Sequence, residues 1–235
     1  MRVVIVGGTT GIGLATAALL EKGGAEVVIT GRSAERVESA LKELGDRASG
    51  QAVDATDVEV TREFFAGLGT VDHVVITVTA RGGAGPLRTL TREDLVRGIE
   101  GKLIPHLLTA QAALEVLSPQ GSITFVTAAS AGAAYPGVSA LAAVNGGLEA
   151  TVPGLALELA PVRVNAVSPG VIDTEWWSTL DPSVRSAVLS SSAAATPVGR
   201  VGSAEEVAAT IAFVVNNGFV TGTVLTVDGG GRLKA

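Results

Sequence analysis

Apolar positions in this chain fall in short unbroken runs, and most runs are followed by a helical pattern. The first is Val3-Val4-Ile5-Val6. A strand buried on both faces reads this way, whereas a strand with one wet face alternates. Further strand-like runs lie at residues 25–30, 50–54, 72–78, 122–127, 162–168 and 223–227. Between them, helical spacing covers residues 14–20, 34–44, 58–68, 91–117, 138–159 and 203–216. Ser33 and Ser203 stand where N-caps belong, and Pro105 is a candidate kink in the fourth helix. A Gly-rich loop, residues 81–86, leads into that helix. The strand–helix alternation predicts an α/β fold. Its expected form is a doubly wound, parallel, seven-stranded sheet with right-handed crossovers and helices on both faces, in three αβα layers. Residues 173–200 are rich in Ser, Ala and Thr, carry both tryptophans and have weak periodicity, which suggests a mobile lid over a ligand.

The junction between the first strand and the first helix carries the strongest chemical signal. It reads Gly7-Gly8-Thr9-Thr10-Gly11-Ile12-Gly13, with Gly7, Gly11 and Gly13 at G-x-x-x-G-x-G spacing. Missing side chains at such positions permit a tight turn, close approach of a pyrophosphate and close helix-on-strand packing. The free N–H groups at the helix start would then face phosphates. Glycine-rich turns are common by themselves. Placed between a clear strand and a clear helix, this one points to a dinucleotide site.

Composition narrows the classes. The chain has 235 residues, enough for one large core, and residues 1–235 are read as a single nucleotide-binding domain. Hydrophobic residues make up 47%, yet no apolar run reaches a membrane-spanning length without Gly or polar interruption. The opening residues enter a strand directly, so no signal peptide is expected. There is no cysteine, which excludes disulfides and thiolate chemistry and fits a cytoplasmic location. A formal charge of −6 disfavours nucleic acid as a partner. His73 and His106 are the only histidines and lie far apart in sequence, so no metal site is expected.

With these pieces in order, the chain resembles the short-chain dehydrogenases/reductases of single-domain type over nearly its whole length. The matching residues are the 7–13 loop, Asp54 after the third strand, Asn165-Ala166-Val167-Ser168-Pro169-Gly170 through Thr174, Pro197-Val198-Gly199-Arg200, Thr221-Gly222, and Val227-Asp228-Gly229-Gly230. The resemblance implies a Rossmann-like fold and a nicotinamide cofactor. It assigns Gly7, Thr9, Thr10, Gly11, Ile12 and Gly13 to the pyrophosphate side, and Asp54 and Ala55 to adenine. Thr77, Val78 and Thr79 follow the fourth strand beside the cofactor, in place of the family's Asn-Asn-Ala-Gly. Pro169, Gly170, Val171 and Thr174 would hold the nicotinamide carboxamide and nearby phosphate. It also implies a small-molecule substrate and a homotetramer, or a dimer, built on the long helices and the last strand. An acidic residue after the second strand would bind the ribose hydroxyls and repel a 2′-phosphate. Here Gly31 is followed by Arg32 and Ser33, and the planar cation of Arg32 suits a phosphate, so NADP(H) is expected over NAD(H).

The chemical half of the pattern departs from the family. The resemblance places the proton-exchanging Tyr at Leu141, the Lys four residues later at Asn145, the carbonyl-polarising Ser at Ala128 or Ala129, and the helix-four Asn at Lys102. Leucine neither donates nor accepts a proton, so the usual acid/base route cannot run from these positions. Lys102 and the single tyrosine, Tyr135, are the candidate substitutes, with Thr127 and Ser130 near the vacant Ser position. Asn145 can still bond a ribose hydroxyl. Two readings follow. One is an NADP(H)-dependent oxidoreductase acting on a small carbonyl, alcohol or activated alkene through a non-standard proton-transfer site. The other is a catalytically silent nucleotide binder that serves as sensor, scaffold or partner subunit.

Overall fold

The computed structural model describes residues 1–79 and 83–233. Arg81 and Gly82 of the expected Gly-rich loop lie outside the described residues. Seven strands appear: β1 (Arg2–Val6), β2 (Glu26–Gly31), β3 (Ala48–Ala52), β4 (Val71–Ile76), β5 (Leu117–Val126), β6 (Arg163–Pro169) and β7 (Val224–Val227). They form one sheet in the order β3-β2-β1-β4-β5-β6-β7, and every pairing is parallel. The helices are α1 (Gly11–Lys22), α2 (Ala34–Glu43), α3 (Val58–Ala66), α4 (Arg92–Gly98), α5 (Ile104–Ala113), α6 (Ser139–Glu158), α7 (Pro182–Ala195) and α8 (Ala204–Asn216). The chain reverses its winding direction between β1 and β4, and the open crevice of such a fold lies outside the carboxyl ends of those strands.

Alternation along each strand divides the core into two layers. Val4, Val6, Val74, Ile76, Ile123, Phe125, Val164 and Ala166 point to one face, with Phe64, Phe65, Ala110, Ala113 and Val152 from α3, α5 and α6. Val3, Ile5, Val27, Ile29, Val75, Val126 and Val167 point to the other, against Ala17 and Leu20 of α1 and Val207, Ile211 and Val214 of α8. Neighbouring residues thus face opposite layers, as the two-residue period of a strand requires, and both faces are apolar because both carry helices.

Several boundaries differ from the sequence expectation. The third strand spans residues 48–52 rather than 50–54, and four of its five residues are exposed. An edge strand with a wet surface lacks the apolar run that marks a central strand. The fourth helical pattern breaks into α4, a π-helical turn (Ile99–Leu103) and α5. Pro105 sits in the first turn of α5; lacking an N–H, it cannot continue the ladder, and the widened turn lies just before it. The expected lid contains a 3₁₀ turn (Glu175–Thr179) and α7, whose residues are all at least partly exposed. Helix α6 is long and apolar enough by composition to cross a membrane. It lies on the sheet, burying Val144, Leu148 and Val152, with Glu149 near its middle.

Candidate functional site

The glycine loop ends β1 at the carboxyl edge of the sheet. Gly7 has φ +92°, a conformation that side chains disfavour, and its N–H donates to the Thr30 carbonyl at 3.1 Å. A Cβ on Gly13 would lie 2.2 Å from the Gly7 carbonyl oxygen, so α1 starts where only glycine fits. Thr77, just past β4, fixes the loop from the side: its hydroxyl donates to the Val6 and Gly7 carbonyls at 3.1 and 2.9 Å. Thr10 is the N-cap of α1, but its side chain makes no capping bond, and the first turn holds no acidic residue. Helix-start N–H groups with no acidic residue in their own turn are suited to an anion.

The remaining cofactor candidates follow the ends of the other strands. Thr9 lies against Gly31 at the end of β2, where a Cβ would meet its methyl at 2.6 Å, and Arg32 is exposed next to it. Ser33 caps α2, its hydroxyl accepting the Arg36 N–H at 3.3 Å. Asp54 is exposed in a turn past β3, where it accepts from the N–H and hydroxyl of Thr56, and Ala55 beside it is buried. Val78 and Thr79 lie beyond β4. Gly11 and Thr174 approach each other closely, a Cβ on Gly11 falling 3.4 Å from the Thr174 side chain. That approach brings Thr174 to the glycine loop; Pro169 closes β6, and Gly170 and Val171 follow it directly. The predicted cofactor residues therefore share one edge of the sheet.

The residues that the resemblance aligns with the family's catalytic groups lie in the loop after β5, in α6 and in the π-helical turn. Ala128 precedes a 3₁₀ turn (Ala129–Ala131), and Leu141 and Asn145 lie in the first half of α6. Asn145 is buried, and its Nδ2 donates to the Ser130 hydroxyl at 3.1 Å and the Leu141 carbonyl at 2.9 Å. Its Oδ1 is buried with no hydrogen-bond partner among the described residues. A buried acceptor left unpaired is costly, and a ligand hydroxyl would satisfy it. The cradle and this orphaned oxygen fit a nicotinamide nucleotide.

Lys102 projects from the π-helical turn into the protein and donates to the Thr127 carbonyl at 3.1 Å, one residue before Ala128. Burial pulls its pKa down to about 8, and the Glu149 carboxylate opposes that pull. Tyr135 stands apart: its ring is exposed, and its phenol donates to the Gly231 carbonyl at 2.8 Å. Two polar residues not singled out from sequence join this region. Glu149 accepts from the Thr127 hydroxyl at 2.8 Å and the Ser168 hydroxyl at 2.6 Å, and pairs with Arg232 at 3.4 Å. Glu149 was detectable in principle, because it is the only charged residue from 139 to 157.

The model described as enoyl-(acyl carrier protein) reductase matches residues 6–231. A cis-4-hydroxycyclohexanecarboxylate dehydrogenase from Sinomonas cyclohexanicum is 34% identical, over 97% of this chain and 94% of its own. A 3-oxoacyl-[acyl-carrier-protein] reductase from Bos taurus is 32% identical over 97% of both chains. Among solved structures, a small-chain dehydrogenase in complex with NADPH superposes with a TM-score of 0.87 at 29% identity, covering 99% of each chain. The full-length match, the parallel seven-stranded sheet and the glycine cradle together show that this chain belongs to the short-chain dehydrogenase/reductase family of oxidoreductases.

Proposed function

We propose that the protein is an NADP(H)-dependent oxidoreductase of a small carbonyl, alcohol or activated alkene, with proton transfer from a group other than the family's tyrosine. The observation that carries this reading is the kept nucleotide cradle together with the unpaired Asn145 Oδ1. Backbone N–H groups at the start of α1 would hold the pyrophosphate, and the Arg32 guanidinium a 2′-phosphate. Asn145 Oδ1 would accept from a ribose hydroxyl, while Pro169, Gly170, Val171 and Thr174 orient the ring. When bound, the nicotinamide supplies or accepts the hydride. Lys102 is the better-placed proton donor: a buried ammonium with a pKa of about 8 is charged at neutral pH yet gives up its proton readily. It would protonate the carbonyl oxygen as negative charge develops there, becoming a neutral amine. Tyr135 is the second donor, although its hydroxyl proton is directed at the Gly231 carbonyl. Leu141 at the tyrosine position favours the rival reading, a silent nucleotide binder.

Calorimetric titration tests the nucleotide assignment. NADPH is expected to bind more tightly than NADH, and Arg32→Ala to remove most of the difference. A charge-assisted phosphate contact is worth roughly 1.5–3 kcal/mol, about tenfold to a hundredfold in affinity. Equal affinities in the unmodified protein would refute the NADP(H) preference.

A further inference from the structure

The turn that follows β7 binds several walls of the candidate site to one another. Asp228 anchors it by accepting the Gly230 N–H on one carboxylate oxygen and the Arg232 N–H on the other, each at 2.9 Å. From that base the Arg232 side chain reaches Glu149 of α6 at 3.4 Å and contacts the Ser168 hydroxyl at the end of β6. Glu149 Oε1 also takes the Thr127 hydroxyl just past β5 and the Ser168 hydroxyl. A single carboxylate oxygen therefore joins the ends of two neighbouring central strands. On the same turn, the Gly231 carbonyl accepts the Tyr135 phenol from the loop between β5 and α6. Gly170 is packed against Asp228, where a Cβ would fall 2.8 Å from the aspartate's own, and its N–H donates to the Val227 carbonyl at 2.9 Å.

Both charges are substantially covered, with side-chain exposures of 20% for Arg232 and 15% for Glu149. Covered charges are tolerated when paired, and removing one partner leaves the other uncompensated. Glu149 also lies one helical turn after Asn145, and Ser168 immediately precedes Pro169-Gly170. A shift of this pair would reach the residues assigned to the nicotinamide ribose and the nicotinamide ring. The glycine loop and Arg32, assigned to the adenosine end, take no part in it.

We propose that Glu149 and Arg232 are positioning residues that set the nicotinamide half of the nucleotide site, with the turn after β7 acting as its outer clasp. This inference rests on the nucleotide reading above. The clasp fixes the strand ends before a ligand arrives, so that Asn145 and the 169–174 segment need little rearrangement on binding.

The experiment compares two probes by calorimetry: NADP⁺, and adenosine 2′,5′-bisphosphate, which keeps the adenosine end and its 2′-phosphate but lacks the nicotinamide and its ribose. Arg232→Met should weaken NADP⁺ binding about tenfold or more, the scale on which small misplacements act. Binding of adenosine 2′,5′-bisphosphate should stay within about twofold, because its contacts lie at the other end of the site. Arg232→Lys keeps the charge and should restore most of the loss. Glu149→Gln, nearly equal in volume, provides a second variant should Arg232→Met fail to fold, and it should show the same selective loss. The proposal is overturned if both variants bind NADP⁺ as the unmodified protein does, or if both probes weaken equally, the signature of general loosening. An unmodified protein that binds neither probe would instead refute the nucleotide reading, and the clasp with it. A protein that binds both, with variants that lose neither, refutes the clasp alone.

Discussion

Lys102 and His106 occupy successive turns on one buried helical face, and their protonation states are linked by that burial. His106 Nδ1 donates to the Lys102 carbonyl at 2.8 Å, which fixes the proton on that nitrogen, and the ring lies 5.9 Å from that of Phe125. Burial first, then the charge of Lys102, lowers the His106 pKa to about 3. At His73, burial followed by the Arg163 charge lowers it to about 4. Both rings are neutral in the folded state, whereas an unfolded histidine takes a proton near 6.5. Stability supplied by the neutral rings is complete above pH 6.5 and is lost as the pH falls toward 4. Each group contributes up to about 1.4 kcal/mol per pH unit in that window. Urea unfolding at pH 7 and pH 5 should show this loss, and His106→Gln should flatten the pH dependence. A variant with an unchanged slope contradicts it. Lys102 behaves in the opposite window: its charge is buried at a cost up to pH 8, and stability rises from there toward 10.5 as the folded protein releases the proton first.

Helix α6 is the element on which the question of catalysis turns. It carries Leu141 and Asn145, which the resemblance aligns with a phenol and an ammonium, and Ala128 lies at the start of the preceding loop. General acid catalysis contributes ~10²–10⁴-fold, so reduction of simple ketones should be weak unless another group supplies the proton. If the chain is silent, Leu141→Tyr with Asn145→Lys and Ala128→Ser should create measurable NADPH oxidation against a panel of small ketones. If the proton donor has moved, the unmodified protein should already turn over a substrate, and Lys102→Met should reduce that rate by a comparable factor. Full activity in both Lys102→Met and Tyr135→Phe contradicts the assignment of either as the substitute. The alternation of strands and helices and the glycine loop were legible in the sequence, since each depends on local spacing. The break at residues 99–103 was less so. Pro105 marked a disturbance, but a π-helical turn depends on how the ladder relaxes around it. Glu149 and Arg232 lie 83 positions apart, and no local pattern joins them. The edge position of β3 is likewise a property of the sheet, and the exposed residues of Ala48–Ala52 gave no apolar run from which to read its bounds.

At the scale of the whole molecule, large apolar side chains are exposed on several outer elements. Leu95, Ile99 and Ile104 are exposed on α4, the π-helical turn and α5, and Leu157 on α6, the helices assigned here to a first surface. Phe213 on α8 is exposed, as is Phe219 after it, at 99%, and the two are assigned to a second surface. Large apolar side chains left in water favour association, by about 25 cal/mol for each Å² covered. The small residues on α6, among them Ala143, Gly146, Gly147 and Ala150, would let a second copy of that helix approach closely. We propose that α4–α6 pair about one two-fold axis and α8 with β7 about another, giving a homotetramer of D₂ symmetry. Light scattering at micromolar concentration should then return four times the 23.5 kDa chain mass. Leu157→Glu would place a charge on the first surface and Phe219→Glu on the second. If each surface serves its own axis, either substitution alone should yield a dimer, and the two together a monomer. A monomeric mass for the unmodified protein would rule out the assembly. A tetramer unaffected by either substitution would show that association uses other surfaces, because a charge buried without a partner costs several kcal/mol and cannot be absorbed in a close-packed contact.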